Sequence, residues 1–128
     1  MSKKLRTNTV DFGIDLGTTT SIIARVDGND APIIPNFTSN TNFTPSAVAI
    51  DKRGTMLVGE KAKRQALSDP KNAFSEFKLR MGIPKPYVFQ DSGRELLPEE
   101  LSAEVLKELK NSVFKQLNQD IDSVVITV

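Results

Sequence analysis

The 128-residue chain contains no cysteine and no histidine, and each absence removes a class of chemistry. Without cysteine there is no disulfide, no thiol nucleophile and no cysteine-based metal site; without histidine the commonest general base and transition-metal ligand are missing. An excess of charge of either sign is missing too. With 17 basic and 16 acidic residues, a formal net charge of +1, nothing biases the chain toward nucleic acid or an anionic membrane, and neither partner is implied. No run of about 18 apolar residues occurs, and residues 1–8 hold lysines without an apolar core, so neither a membrane span nor a secretory signal is expected. The expectation is a cytoplasmic protein with a disordered basic tail over residues 1–8. Its length suits one modest domain that buries about 65–70% of the surface its unfolded form exposes. Asp, Glu, Lys, Thr and a hard cation are left to carry any chemistry.

What is present is concentrated in residues 10–26, V-D-F-G-I-D-L-G-T-T-T-S-I-I-A-R-V. Val10, Phe12, Ile14 and Leu16 alternate with Asp11, Gly13 and Asp15, the period of a strand with one buried face. Asp15 therefore falls at the strand's end beside a turn. Gly17 has no Cβ to block a ligand or to forbid positive φ, so the turn can aim backbone N–H groups at an anion, with the hydroxyls of Thr18, Thr19 and Thr20 as further donors. A carboxylate beside an anion site repels the anion unless a cation bridges them, which points to hydrated Mg²⁺ held by Asp15. The competing reading of Gly-Thr-Thr by itself is an ordinary hairpin turn.

The rest of the chain reads as one α/β unit. Asp27-Gly28 is a turn leading into a third strand over residues 31–35, giving an antiparallel meander. Residues 36–44 are polar without period and read as a loop; residues 47–50 and 56–58 form a second hairpin across Lys52-Arg53-Gly54. Helices are predicted over residues 60–68, ended near Asp69-Pro70, and over residues 73–81, with Phe74, Phe77 and Met81 on one face and Lys78 beside them. Residues 85–97 read as a loop with a short edge strand. Pro98 opens a helix to about Asn118 whose Leu101, Val105, Leu109 and Val113 form a core stripe. The unbroken apolar run Val124-Val125-Ile126-Thr127-Val128 predicts a strand covered on both faces.

G-I-D-L-G-T-T at residues 13–19 resembles the first phosphate motif of the actin-like ATPase superfamily, which includes sugar kinases, actin relatives and heat-shock chaperones of the DnaK type. F-T-P-S-A-V-A-I at residues 43–50, L-V-G-E-K-A-K at 57–63, F-K-L-R-M-G at 77–82, Pro98-Glu99-Glu100-Leu101 and S-V-V-I-T-V at 123–128 narrow the resemblance to the chaperones, the heat-shock protein 70 family. It covers nearly all of the chain after residue 9. The resemblance implies the actin-like ATPase (ribonuclease H-like) fold, α/β with a mixed sheet whose first strands are antiparallel. Residues 9–128 would be the N-terminal part of a nucleotide-binding domain, subdomain IA with subdomain IB spliced in. The family's proline-containing switch, catalytic carboxylate, second phosphate loop and adenosine pocket would lie beyond residue 128. Natural domains rarely finish mid-strand without a polar tail, so an engineered fragment truncated within a core strand is expected, inactive alone and prone to self-association.

By the same resemblance, Asp15 corresponds to the residue that holds Mg²⁺ through water, and Gly17, Thr18 and Thr19 to the loop around the β- and γ-phosphates of ATP or ADP. Thr20 stands where the family has a bulkier or amide side chain. Lys78 corresponds to the catalytic lysine that positions the attacking water and the γ-phosphate; read without the resemblance, it is a solvated lysine like Lys61 or Lys71. Implied partners are unfolded polypeptide clients, bound through a domain outside these residues, with a J-domain cochaperone and a nucleotide exchange factor. Leu79 follows Lys78 where the family has arginine, with Arg80 one place later, and Asn42-Phe43 replaces a basic residue ahead of Thr44. The short segment after Gly82 is similar to that of a compact, specialised bacterial branch. A sugar or polyol kinase also carries D-x-G-T-T but needs a catalytic Asp that is not identifiable here, and an actin-like filament protein needs apolar contact loops where residues 36–42 and 85–93 are polar.

Overall fold

The computed structural model describes residues 11–128, so Val10 and the predicted tail lie outside the described residues. The chain opens with the antiparallel hairpin β1 (Phe12–Leu16) and β2 (Thr20–Arg25), in register Phe12 to Arg25 and Leu16 to Ser21. Phe12, Ile14, Leu16 and Ile23 point into the core, as the period-2 pattern requires. A short β3 (Thr44–Pro45) pairs with the start of β2, and β9 (Val125–Thr127) lies parallel to β1 on its other side, giving the order β3-β2-β1-β9. A second sheet of order β5-β4-β6 is built from β4 (Ala47–Ile50), β5 (Met56–Val58) and β6 (Ala73–Ser75). Between β5 and β6 lies α1 (Glu60–Ser68), and a hairpin of β7 (Tyr87–Val88) and β8 (Glu95–Leu96) precedes the long α2 (Pro98–Leu117).

Every residue of β4 is buried, and its alternation sorts the two sides by size. Ala47 and Ala49 pack with Ala62 of α1 and Ala73 of β6, while Val48 and Ile50 join the main core with Leu101, Val105, Leu109 and Val113 of α2. The i+4 stripe of α2 is thus the wall shared by both sheets. Its N-terminus is closed by Pro98 in the first turn and by the Glu100 carboxylate, which accepts the Leu97 N–H at 2.8 Å. Asn118, left-handed at φ 54°, ends it.

Three expectations are corrected. Residues 31–35 are no strand: the segment touches β2 through one bridge, Ala24 to Ile33, with Arg25 N–H donating to Pro32 O (3.0 Å) and Ile34 N–H to Ile23 O (2.8 Å). Pro32 and Pro35 have no N–H to extend a ladder. Residues 73–81 are no helix. Ala73–Ser75 pairs with β4, Glu76 turns left-handed at φ 57°, and Phe77–Arg80 is a single 3-10 turn. The apparent helical spacing serves three environments instead: Phe74 meets Tyr87 and Phe89 at 4.9 Å in tilted and edge-on contacts, Phe77 is buried, and Met81 is partly exposed. Finally, β9 is exposed along its length rather than covered on both faces.

The polar segment after Pro35 is held by side chains rather than by a ladder. The Asn36 carbonyl Oδ1 accepts from Thr38 N–H (2.8 Å) and Ser39 N–H (3.1 Å), and its Nδ2 donates to Thr44 Oγ1 (2.9 Å) and Glu108 Oε2 (3.1 Å). Phe37 N–H donates to Ser112 Oγ at 3.1 Å, pinning the segment to α2. Burial pushes the Glu108 carboxyl above its ordinary 4.5, with the Asn36 hydrogen bond and the Lys61 charge opposing. The folded state therefore keeps this proton to higher pH than the unfolded state does. Its contribution to stability is present below 4.5 and is lost as pH rises through the folded value. Glu108→Gln, whose amide oxygen still accepts from Asn36, is expected to abolish that loss and to raise stability near neutral pH. Urea unfolding of both proteins across the acid range checks this, and equal pH slopes would refute it.

Candidate functional site

The alternation that buries Ile14 and Leu16 places Asp15 on the open side of the sheet, exposed, two residues before Gly17. Ile22 lies opposite it on β2 and Thr127 beside it on β9. The Thr127 hydroxyl lies 3.3 Å from Asp15 Oδ1 and 3.4 Å from Ile14 O, so it steadies the carboxylate from one flank. Among the described residues Asp15 has no ion-pair partner, and no cluster of three acidic residues that could hold a metal is found. A hard cation at Asp15 would therefore keep most of its water ligands and share the rest with an anion, the binding mode of Mg²⁺.

Residues 17–19 turn the chain from β1 into β2. Gly17 is not in the left-handed region, which corrects the expectation that positive φ explains it. Its reason is space: a Cβ there would collide with the carbonyl oxygen of Thr20. The turn is braced from behind by the β3–β4 segment. Ser46 N–H donates to Thr19 O at 2.9 Å, Ser46 Oγ donates to Gly17 O at 3.0 Å, and Ser46 Oγ lies 2.9 Å from Ser21 Oγ. Two of the turn's carbonyls are therefore occupied. The N–H groups of Gly17, Thr18 and Thr19 and the hydroxyls of Thr18, Thr19 and Thr20 bond to no other described residue. Such groups need water or a ligand, and a run of backbone and hydroxyl donors of this kind can receive an anion.

Lys78 reaches its place differently. Phe77 anchors the 3-10 turn in the core, and the half-buried Lys78 follows it with no ion pair or hydrogen bond to its ammonium among the described residues. No hydrogen bond or ion pair joins it to residues 15–20, so the structure assembles Asp15 and residues 17–20 into one feature and leaves Lys78 a separate element. Arg80, one place beyond the family's position, lies over the Tyr87 ring at 5.6 Å, and Leu79 is exposed. Reading the sequence missed Ser21, Ser46 and Thr127. The Thr44-Pro45-Ser46 tract was visible as a resemblance, but a contact between residues 17 and 46 has no local signal.

Gly17→Ala is expected to force the turn open against the Thr20 carbonyl and to cost about 1–3 kcal/mol of stability, as overpacking does. Urea unfolding measures it; a loss below about 0.5 kcal/mol would show that the turn relaxes freely.

The sequence matches the family described as Hsp70 protein over residues 11–128. It is also similar to the chaperone protein DnaK of Elusimicrobium minutum (strain Pei191), with 40% identity over 120 residues. That match covers 91% of this chain but 19% of the relative, so the chain spans about a fifth of the length of that protein. The mixed sheet with its antiparallel first hairpin agrees with the actin-like ATPase fold of the family. Matched over all the described residues and 40% identical to a DnaK, the chain belongs to the Hsp70 family.

Proposed function

We propose that residues 9–128 form the phosphate-facing part of the nucleotide-binding domain, subdomains IA and IB, of an ATP-dependent chaperone that binds and releases unfolded polypeptides. The observation that supports this reading is the unpartnered donor run of residues 17–20 beside the exposed Asp15 carboxylate. Its chemistry fits a polyphosphate with a hydrated cation: hydrogen-bond donors for the anion and one hard oxygen ligand for the metal. Bound Mg²⁺–ATP supplies the electrophilic phosphorus and the positive charge that the turn lacks. Asp15 would hold the metal through water, Gly17, Thr18 and Thr19 would bind the β- and γ-phosphates, and Thr20 would flank them. The Thr18 hydroxyl would lie nearest the transferred group, and Lys78 would orient the attacking water. J-domain and exchange-factor partners belong to the same proposal, as does a cytoplasmic setting. No helix among the described residues is long and apolar enough to cross a membrane. Nucleotide state would gate the polypeptide site by linkage.

A lysine about 4 Å from a phosphate oxygen interacts by roughly 4 kcal/mol at an effective dielectric near 20, before desolvation. In the full-length protein Lys78→Ala is therefore expected to lower ATP turnover by at least about tenfold, and unfolded peptide should stimulate the wild type. Turnover that appears only with a polyol would mean a kinase instead. Residues 1–128 alone should hydrolyse no ATP; a rate matching the full-length protein would overturn the proposal that the site needs further residues.

The open edge of β9, with Val125 and Ile126 exposed, offers unpaired backbone groups to a second chain. Concentration-dependent association of residues 1–128 is expected in sedimentation velocity, and a single monomeric species at high concentration would contradict it.

A further inference from the structure

We infer that Ser46, supported by Ser21, is the positioning residue of the phosphate turn, an inference that rests on the phosphate-binding reading of residues 17–20. The argument begins with the peptide plane. In a trans peptide the C=O of one residue and the N–H of the next point in opposite directions, and the described residues contain no cis peptide. Ser46 Oγ holds the Gly17 carbonyl at 3.0 Å. It therefore fixes the Thr18 N–H on the opposite side, where that group has no protein partner. Ser46 N–H holds the Thr19 carbonyl at 2.9 Å and so fixes the Thr19–Thr20 peptide, leaving the Thr18–Thr19 peptide held between two anchored neighbours. One residue thus orients two peptide units of the turn.

Proton counting assigns Ser21 its part. A hydroxyl has one proton, and that of Ser46 is directed to Gly17 O, so the 2.9 Å contact between the hydroxyls has Ser21 as donor. The chain Ser21 to Ser46 to Gly17 polarises the terminal bond. Both serines are closed to solvent, 0% and 2% exposed, so water does not replace a lost hydroxyl. Without the Ser46 hydroxyl, the Gly17 carbonyl and the Ser21 proton are left unpaired in a dry site. A rotation of the Gly17–Thr18 peptide relieves the carbonyl and turns it toward the bound anion, where an acceptor repels phosphate. The loss falls on phosphate binding and spares contacts to the nucleoside.

The test is calorimetric titration of the full-length protein with ATP, ADP and adenosine. Ser46→Ala is expected to weaken ATP and ADP by about tenfold or more while adenosine stays within about twofold. Ser46→Cys, close in size and a weak donor, should show the same selectivity and serves if the alanine variant does not fold. Ser21→Ala, which leaves the Gly17 bond in place, should lose only about threefold, again for the phosphorylated ligands alone. Unchanged ATP affinity in both Ser46 variants, or equal losses for all three ligands, would overturn the inference and leave the phosphate-site reading standing. A wild type that binds ATP no better than adenosine would overturn both.

Discussion

Burial of one stripe of α2 is the interaction on which the remaining architecture depends. Leu101, Val105, Leu109 and Val113 present a continuous apolar face to Ile14 and Ile23 on one sheet and to Val48 and Ile50 on the other. Among the described residues neither sheet has another wall of this length. The 3-10 turn of Phe77–Arg80 and the β7–β8 hairpin join the same core through Phe77 and Phe89. At about 25 cal/mol for each Å² of apolar surface removed from water, contacts of this kind dominate the favourable side of folding. Polar groups then adjust to the packing. Asn36, Glu108 and Ser112 fasten the segment after Pro35 to the same helix, and Glu108 accepts partial burial to do so.

This arrangement explains why the candidate site can be both rigid and open. The hairpin of β1 and β2 is fixed from below by its core-facing residues and from behind by Ser46, the buried residue between β3 and the fully buried β4. The turn itself has only to present donors. Asp15 points away from the core because the period of the strand leaves it no alternative, and it stays exposed on a face it shares with Gly13, Ile22 and Ala24. Lys78 rests on a different support, the anchored Phe77, so the cation and the donor run are positioned by independent parts of one core.

Where sequence patterns and structure diverge, the cause is competition between local and tertiary bonding. Phe74, Phe77 and Met81 share a helical spacing, yet the backbone at Ala73–Ser75 gains ladder partners on β4 and the left-handed Glu76 ends any helical path. At residues 31–35 the apolar and β-branched residues favour a strand, but two prolines withhold the donors that a ladder needs. The predicted two-sided burial of β9 rests on its unbroken apolar composition. Within these residues, composition describes the side chains' preference and not their surroundings.

The sequence by itself determined the two strands of the first hairpin, the second hairpin, both α-helices and the place of Asp15 and Gly17, because each follows from periodicity, capping or a turn residue within a few positions. It also determined the family, through tracts whose order no single one could establish. Only the tertiary structure decided how the turn is held. Ser46 reaches the Gly17 carbonyl, 29 residues back along the chain, and Thr127 reaches Asp15 across 112. It also decided that Gly17 is needed for room against the Thr20 carbonyl rather than for positive φ. Hydrogen bonds between distant segments depend on where packing brings the backbone, and that position is not encoded in any local pattern.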